Sequence, residues 1–196
     1  MINLDRQTKG AIAEHYVVMR LLARGYAAAN INMTVGNTKY FDIMCSNPVT
    51  CKAINIQVKS SYDNSRSFNI GLCHKDFMTD NRFDEIKAMK SLEDKIRCPW
   101  IFVNVQITDK APVFRIFIMT REQVIKLAYE SEKWYVNDVR HKNPLKETGQ
   151  VAIVLGWIEG YDTEAEDNNR SKRKMFKNPF PANQFEEAWE NLGLDD

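Results

Sequence analysis

The first third of the chain combines one amphipathic helix with several short segments of strand-like patterning. Apolar residues recur with helical spacing over residues 8–24, and Gly25 follows as a C-terminal stop signal. Beyond it, apolar and polar positions alternate, which is typical of strands with one buried face. The pattern predicts strands at residues 26–33, 40–45, 53–62 and 68–72, of which 53–62 is the clearest.

A charged amphipathic helix and two apolar strands are expected in the middle of the chain. Residues 82–97 have a helical spacing of apolar side chains, and the strands at 100–106 and 113–119 are joined by a turn. Four apolar positions of this helix are expected near one face: Ile86, Met89, Leu92 and Ile96.

The last part of the chain contains two helix-start signals. Thr120 with Gln123 and Asn183 with Glu186 each have the form of a capping box, in which a polar side chain satisfies the first turn of a helix. A strand is expected between the two helices, at 151–157. Together the elements predict an α/β fold with a mixed central β-sheet flanked by helices.

The composition is that of a globular protein. The chain has 196 residues, of which 44% are hydrophobic and 27% charged, and no repeat or flexible linker divides it. One domain is therefore expected over residues 1–196, with its core at 8–132 and a C-terminal strand and helix at 150–193 packed on it. Because the net charge is only +1, any contact with nucleic acid must come from a local basic patch.

Several features of the sequence predict a cytoplasmic protein. No apolar run is long enough to cross a bilayer, so no membrane partner is expected. The first ten residues lack the apolar core of a signal peptide. The four cysteines show neither paired spacing nor a histidine motif beside them, which indicates reduced thiols rather than disulfides or a zinc site.

The segments at 40–45 and 53–62 carry the candidate chemistry. A turn signal lies between them, so the two strands are expected to pair as a hairpin. In the second strand Gln57 and Lys59 share one face, and a suitable register would place Asp42 beside them. The sequence does not determine that register. The alternative interpretation is a half-buried hairpin whose polar face has no chemical role.

Glu14 lies within the apolar stripe of the first helix. With a rotation of roughly 100° per residue, it falls between Val18 and Leu21 on the helical wheel. A carboxylate in that position is costly unless it is paired or reaches a cavity. Glu14 is therefore either a structural partner of a Lys or Arg, or a carboxylate directed at the same cavity as Asp42.

These residues resemble the motifs of the PD-(D/E)XK superfamily, the restriction-endonuclease-like nucleases, which include Holliday-junction resolvases. The similar segments are GAIAE at 10–14, FDI at 41–43 and IQVKSS at 56–61, within the first third of the chain. The resemblance implies a restriction-endonuclease-like fold and a metal-dependent DNA endonuclease, an enzyme that hydrolyses phosphodiester bonds with Mg²⁺ or Mn²⁺. Dimers are common among similar nucleases, so a homodimer is a further expectation.

The resemblance also assigns roles to individual residues. Asp42, the side-chain oxygen of Gln57 and the backbone carbonyl of Val58 would bind the metal ion, while Glu14 would act through a metal-bound water or a second ion. Lys59 would orient the attacking water or stabilise charge on the phosphate oxygens.

Two residues depart from the pattern of the superfamily. Phe41 precedes Asp42 in place of Pro, and Gln57 stands where Asp or Glu is usual. An amide oxygen can ligate a hard cation but contributes no negative charge. The main alternative function is therefore a catalytically inactive domain of the same fold that binds nucleic acid or a protein partner. An interaction domain without any chemistry is the other alternative.

Polar residues outside the motif are candidate contacts to nucleic acid. Ser60 and Ser61 follow the motif directly, although the favoured interpretation is that they only end a strand. A basic run supplies four further candidates: Arg170, Lys172, Arg173 and Lys174. Most such runs are solvated loops. The histidines are scattered along the chain and indicate no joint role.

Overall fold

The computed structural model describes residues 5–32, 38–63, 65–109, 111–138, 144–159, 176–181 and 183–195. Two compact units are formed from separate stretches of the chain. The first comprises Met1–Arg66, Arg97–Arg121 and Glu186–Asp196, and the second comprises Ser67–Ile96 and Glu122–Phe185. The expectation of one domain over residues 1–196 stays a prediction.

The described residues contain four α-helices, nine strands and two short 3₁₀ helices. The 3₁₀ helices are His74–Asp76 and Trp189–Leu192. In chain order the other elements are α1 Arg6–Ala23, β1 Ala27–Asn30, β2 Ile43–Ser46, β3 Ala53–Tyr62, β4 Ser67–Cys73, β5 Met78–Thr79, β6 Arg82–Phe83, α2 Glu85–Lys95, β7 Trp100–Gln106, β8 Val113–Met119, α3 Arg121–Asp138, β9 Gln150–Val154 and α4 Leu155–Ile158.

The first unit is built on a five-stranded mixed sheet. Its strands lie in the order β1–β2–β3–β7–β8. Neighbouring strands are antiparallel except β3 and β7, which run parallel. The helix α1 and the C-terminal 3₁₀ helix pack against this sheet. The predicted class, an α/β fold with a mixed central sheet flanked by helices, is confirmed.

The core of the first unit follows from the two periodicities in the sequence. The helix α1 contributes Ala13, Val17 and Leu21, which recur every four residues and are fully buried. The strands contribute alternate residues to the same cluster, because successive side chains point to opposite faces. These strand residues include Ile43, Cys45, Ile56, Val58, Ile101, Val103, Val105, Ile116 and Ile118.

Local signals determine both ends of α1. The Asp5 carboxylate caps its first turn by accepting a hydrogen bond from the Thr8 amide at 2.7 Å. At the other end Gly25 has a φ of +84°. This is a left-handed backbone conformation that residues other than glycine adopt only at an energetic cost. The predicted stop at Gly25 is confirmed.

Within the first unit, hydrogen bonds hold the C-terminal segment against the rest of the unit. The Tyr26 hydroxyl donates to the Asp195 carboxylate at 2.6 Å, and Asn47 Nδ2 donates to the Leu194 carbonyl at 3.1 Å. Burial, together with the contact to Asp195, raises the pKa of Tyr26 to about 12. The C-terminal segment is therefore part of the same core as α1.

The second unit contains two small antiparallel pairings and most of α3. In it β4 pairs with β9, and β5 pairs with β6. His74 Nδ1 lies 2.5 Å from a carboxylate oxygen of Glu132, and both side chains are largely buried. The ring of Tyr135 stacks on His74 with centroids 5.5 Å apart.

Among all described residues, no helix is both long and apolar enough to span a membrane.

The predicted helix at 82–97 is shorter, and of its four expected apolar positions Leu92 and Ile96 are buried whereas Ile86 and Met89 are not. Arg82–Phe83 pairs with Met78–Thr79 as a strand, and the helix α2 begins only after its N-cap Asp84. Ile86 is 85% exposed and Met89 is 36% exposed. The residues that α2 and its C-cap bury are Ala88, Leu92 and Ile96.

Two predictions near the C-terminus also need correction. The strand predicted at 151–157 ends at Val154, and α4 follows it immediately. The capping box at Asn183 does not open a helix, because Asn183 has a φ of +57° whereas an N-cap residue is extended. The short helix begins instead at Trp189 and has 3₁₀ geometry.

Candidate functional site

The β2–β3 register brings Asp42 next to Gln57. Ile43 pairs with Ile56 at the end of the antiparallel ladder. The Asp42 amide then donates to the Ile56 carbonyl at 2.9 Å, so that Asp42 lies opposite Gln57. Both side chains are only 6% exposed. The structure therefore contains the hairpin, and Asp42 lies beside Gln57 as a suitable register would place it.

Three donors converge on the carboxylate of Asp42. Its Oδ2 accepts hydrogen bonds from the Val58 amide at 2.7 Å and from Gln57 Nε2. Its Oδ1 accepts one from Asn32 Nδ2 at 2.9 Å. Because the β2–β3 ladder ends at the Ile43–Ile56 pair, the Val58 amide is available to this side chain. Because the ladder ends here, the Val58 amide can donate to the Asp42 carboxylate.

Glu14 reaches the same group of amides from α1. Its Oε2 accepts a hydrogen bond from Asn30 Nδ2 at 2.8 Å. Asn32 Nδ2 lies 3.3 Å from each of its two carboxylate oxygens. The same Asn32 nitrogen therefore serves both Glu14 and Asp42. Of the two interpretations of Glu14, the one that directs it toward Asp42 agrees with this geometry.

The electrostatic environment disfavours the ionised form of Glu14. Burial is the largest cause that raises its pKa above the ordinary value, and the negative charge of Asp42 raises it further. Hydrogen bonds from Asn30 and Asn32 act in the opposite direction and reduce the rise. A cation placed at the two carboxylates would remove much of this cost.

Lys59 lies on the same strand as Gln57 and faces an aromatic ring. Its Nζ is 5.3 Å from the centroid of the Trp100 ring, a cation–π distance. Trp100 pairs with Gln57 across the parallel β3–β7 ladder and is 1% exposed. Its indole nitrogen is buried and has no hydrogen-bond partner among the described residues. The ammonium group of Lys59 therefore lies beside a buried aromatic ring.

Cys98 is a buried thiol beside the same residues. Burial raises its pKa to about 11, and the opposite charges of Asp42 and Lys59 both act on it. Its Sγ donates to the Tyr40 carbonyl at 3.4 Å. The thiol is therefore neutral near pH 7 and acts here as a structural donor.

The amides that join the two carboxylates were not predicted from the sequence. Asn30 ends β1, and Asn32 follows two residues later in a turn, where its backbone amide donates to Asn30 Oδ1 at 2.9 Å. Two polar residues separated by one residue at the end of a weak apolar strand were the available signal. Nothing in the local sequence pointed to the contact between Trp100 and Lys59, because it depends on strand pairing.

The other candidate contacts have separate outcomes. Ser61 is buried, and its Oγ accepts a hydrogen bond from Asn104 Nδ2 at 2.9 Å. Ser60 is partly buried on the same strand, and a role for either serine in binding nucleic acid stays a prediction. The basic run lies outside the described residues, with its four candidates Arg170, Lys172, Arg173 and Lys174.

The donor atoms fit a hard divalent cation. Two carboxylates, one side-chain amide and one backbone carbonyl are oxygen donors of the type that Mg²⁺ and Mn²⁺ prefer. The Val58 carbonyl lies 3.4 Å from Gln57 Nε2, so it belongs to the same group of atoms. No three His, Cys, Asp or Glu side chains cluster as metal ligands anywhere in the described ranges. Amide and carbonyl oxygens would therefore have to complete the set of ligands.

Comparisons with known proteins do not place the chain in a family. No known family and no curated protein matches its sequence. One solved structure that resembles it is described as a bacterial homing endonuclease, I-Ssp6803I, with 17% sequence identity. The match covers 97% of this chain and 94% of that one, with a TM-score of 0.42. A similarity of this size establishes neither family nor function.

The raised pKa of Glu14 predicts a pH-dependent effect of Glu14→Gln on stability. A raised pKa in the folded state means that the wild type loses stability as pH rises through that pKa. In EDTA, the variant should therefore be more stable than the wild type at pH 7. The advantage should decrease as pH falls through the folded pKa of Glu14. Urea unfolding at a series of pH values measures both quantities.

An exposed glutamate on α2 provides the matched control, Glu93→Gln. This variant removes the same charge without touching the amides around Glu14. If Glu14→Gln and its control gave the same pH dependence, Glu14 would not carry the electrostatic cost described above.

Proposed function

We propose that this protein is a metal-dependent DNA endonuclease whose site is formed by Glu14, Asp42, Gln57, Val58 and Lys59. The observation that carries the proposal is the convergence of two carboxylates, from α1 and from the residue before β2, on the side-chain nitrogen of Asn32. Close like charges in a half-buried site are unfavourable without a proton or a cation between them. A divalent cation that binds there would be suited to phosphodiester hydrolysis.

Mg²⁺ or Mn²⁺ would be held by Asp42, the Val58 carbonyl and the Gln57 amide oxygen, with Glu14 binding directly or through water. Gln57 directs its nitrogen at Asp42, and a half-turn of the amide would present the oxygen instead. When bound, the cation supplies a water of lowered pKa and polarises the scissile phosphate.

The residues of the chain position these groups. The Val58 amide and Asn32 hold the Asp42 carboxylate in one orientation. Lys59, which lies beside the Trp100 ring, would orient the attacking water or stabilise charge on a phosphate oxygen. None of these roles requires Lys59 to lose its proton.

DNA is proposed as the substrate because a phosphodiester is the group that this set of residues would hydrolyse. Assembly as a homodimer and a cytoplasmic location stay predictions.

A catalytically inactive domain that binds nucleic acid or a protein partner is the second candidate. One observation favours it: Gln57 acts as a hydrogen-bond donor to Asp42. That donor partly satisfies a buried carboxylate without any cation. Metal binding and cleavage therefore have to be measured separately.

Substitution of Asp42 and of Lys59 should separate these two steps. Asp42→Ala should abolish Mn²⁺ binding by isothermal titration calorimetry and also abolish cleavage. Lys59→Ala should retain Mn²⁺ binding but lower the cleavage rate by at least about 100-fold, because it removes a group that acts on the phosphate. Supercoiled plasmid, linear single strands and a four-way junction are the substrates, each tested with and without Mn²⁺.

Two controls match these substitutions. Lys52→Ala removes an exposed lysine just before β3, and Glu93→Ala removes an exposed carboxylate on α2. Asp42→Asn keeps the size of the side chain if Asp42→Ala does not fold. Unchanged Mn²⁺ binding in a folded Asp42 variant would contradict the site. Binding without cleavage in the wild type would select the inactive domain.

Gln57→Glu tests whether the amide limits the affinity for the cation. The variant gives the site a third carboxylate, so Mn²⁺ affinity should increase. Without metal, it also replaces a donor to Asp42 with a like charge, which should lower the free energy of unfolding by about 1–3 kcal/mol. Saturating Mn²⁺ should recover more stability in this variant than in the wild type. Calorimetry and urea unfolding measure the two effects.

Gln106→Glu, at the exposed end of β7, is the control for this substitution. Equal Mn²⁺ affinity of Gln57→Glu and the wild type would place the cation away from Gln57 and would contradict the proposed set of ligands.

A further inference from the structure

The Asn32 side chain lies between the two carboxylates of the proposed metal site. Its Nδ2 is 2.9 Å from Asp42 Oδ1 and 3.3 Å from each carboxylate oxygen of Glu14. One amide nitrogen therefore directs its two hydrogens at three carboxylate oxygens. A cation shared by Glu14 and Asp42 would need the same oxygens, so the amide and such a cation would compete for their lone pairs.

Hydrogen bonds at both ends of the side-chain amide determine its orientation. Asn32 Oδ1 accepts a hydrogen bond from the Thr38 amide at 3.1 Å, while Nδ2 faces the carboxylates. A half-turn would direct Oδ1 at carboxylate oxygens and would leave two donors facing each other at Thr38. The Asn32 backbone amide also donates to Asn30 Oδ1 at 2.9 Å. Asn32 is therefore held as a donor, and a half-turn like the one proposed for Gln57 would be unfavourable.

The two carboxylate oxygens of Asp42 have different surroundings. Oδ1 faces Asn32. Oδ2 accepts hydrogen bonds from the Val58 amide and from Gln57 Nε2. The other proposed ligands, the Val58 carbonyl and the Gln57 amide, lie together on the Oδ2 side. A cation on that side would still offset the repulsion between the two carboxylates, because it would lie beside one of them. It would not have to displace Asn32.

We propose that Asn32 keeps cations out of the space between Glu14 and Asp42, so that the site binds a single cation on the Oδ2 side of Asp42. Glu14 then reaches that cation only through water. The inference rests on the proposed function and adds to it the residue that sets the number of cations. Two cations that share a carboxylate are the other arrangement that assists phosphodiester hydrolysis.

The magnetic coupling of bound Mn²⁺ tests the inference. Electron paramagnetic resonance counts bound Mn²⁺ in a titration, and spin coupling identifies two ions that share a carboxylate. The wild type should bind one ion at the site and show no coupling. Asn32→Asp removes the amide and adds a carboxylate, so it should bind two coupled ions. Asn32→Ala removes the amide alone and should also show coupling. It replaces Asn32→Asp in the comparison if the aspartate variant does not fold.

Two control variants show whether a second ion lies at the expected position. Gln106→Glu adds a carboxylate at the exposed end of β7 and should show no coupling. The double variant Asn32→Asp/Glu14→Gln keeps the new carboxylate but removes the charge of Glu14, so it should lose the coupling of the single variant. Circular dichroism confirms that each variant is folded.

Two results would overturn the inference. One is spin coupling in the wild type, which would place two ions at the site although Asn32 is present. This result decides the question even if no variant folds. The other is a folded Asn32 variant without coupling, because the amide would then not be what excludes the second ion.

Failure of the metal site itself gives a different result. If the wild type binds no Mn²⁺, or if Asp42→Ala binds it equally well, the proposed metal site is wrong and the inference falls with it. If Asp42→Ala loses the ion but the folded Asn32 variant shows no coupling, only the role of Asn32 is wrong. If coupling follows the prediction but the wild type does not cleave DNA, the inference stands and the endonuclease function is wrong.

Discussion

Glu14 and Asp42 can lie close together because one amide, the side chain of Asn32, donates to both carboxylates. Burial and the charge of Asp42 raise the pKa of Glu14, so this arrangement has an electrostatic cost that the hydrogen bonds only partly offset. Three features of the fold bring the two carboxylates together. They are the position of α1 against the sheet, the path of the chain after β1, and the β2–β3 register. A change in any one of them would separate Glu14 from Asp42.

The sheet positions the rest of the site through the lengths of its ladders. The β2–β3 ladder stops at Ile43, which leaves the Val58 amide for the carboxylate of Asp42. On the other side of β3, parallel pairing with β7 brings Trp100 beside Gln57 and within cation–π distance of Lys59. The strand β3 therefore contacts the carboxylate of Asp42 on its β2 side and the ring of Trp100 on its β7 side.

Patterns with a strong period could be predicted from the sequence, whereas contacts between distant segments could not. Residues 53–62, 100–106 and 113–119 were predicted with their observed bounds because their apolar character is uninterrupted or alternates regularly. On α2, Leu92 and Ile96 were predicted correctly, but Ile86 and Met89 were not. Helical spacing alone does not show which stripe is covered, and Ala88 is buried in place of Met89. Asn32 was missed because its importance depends on the fold around it.

The orientation of the Gln57 amide distinguishes a metal site from a site without metal, since the amide supplies either an oxygen to a cation or a donor to Asp42. The most direct measurement is the anomalous scattering of Mn²⁺ in crystals grown with that ion. One peak is expected within roughly 2.0–2.6 Å of an Asp42 carboxylate oxygen and of the Val58 carbonyl, with the Gln57 oxygen turned toward it. With Mn²⁺ at a saturating concentration, the absence of a peak beside Asp42, or peaks only at other positions, would contradict the proposed metal site.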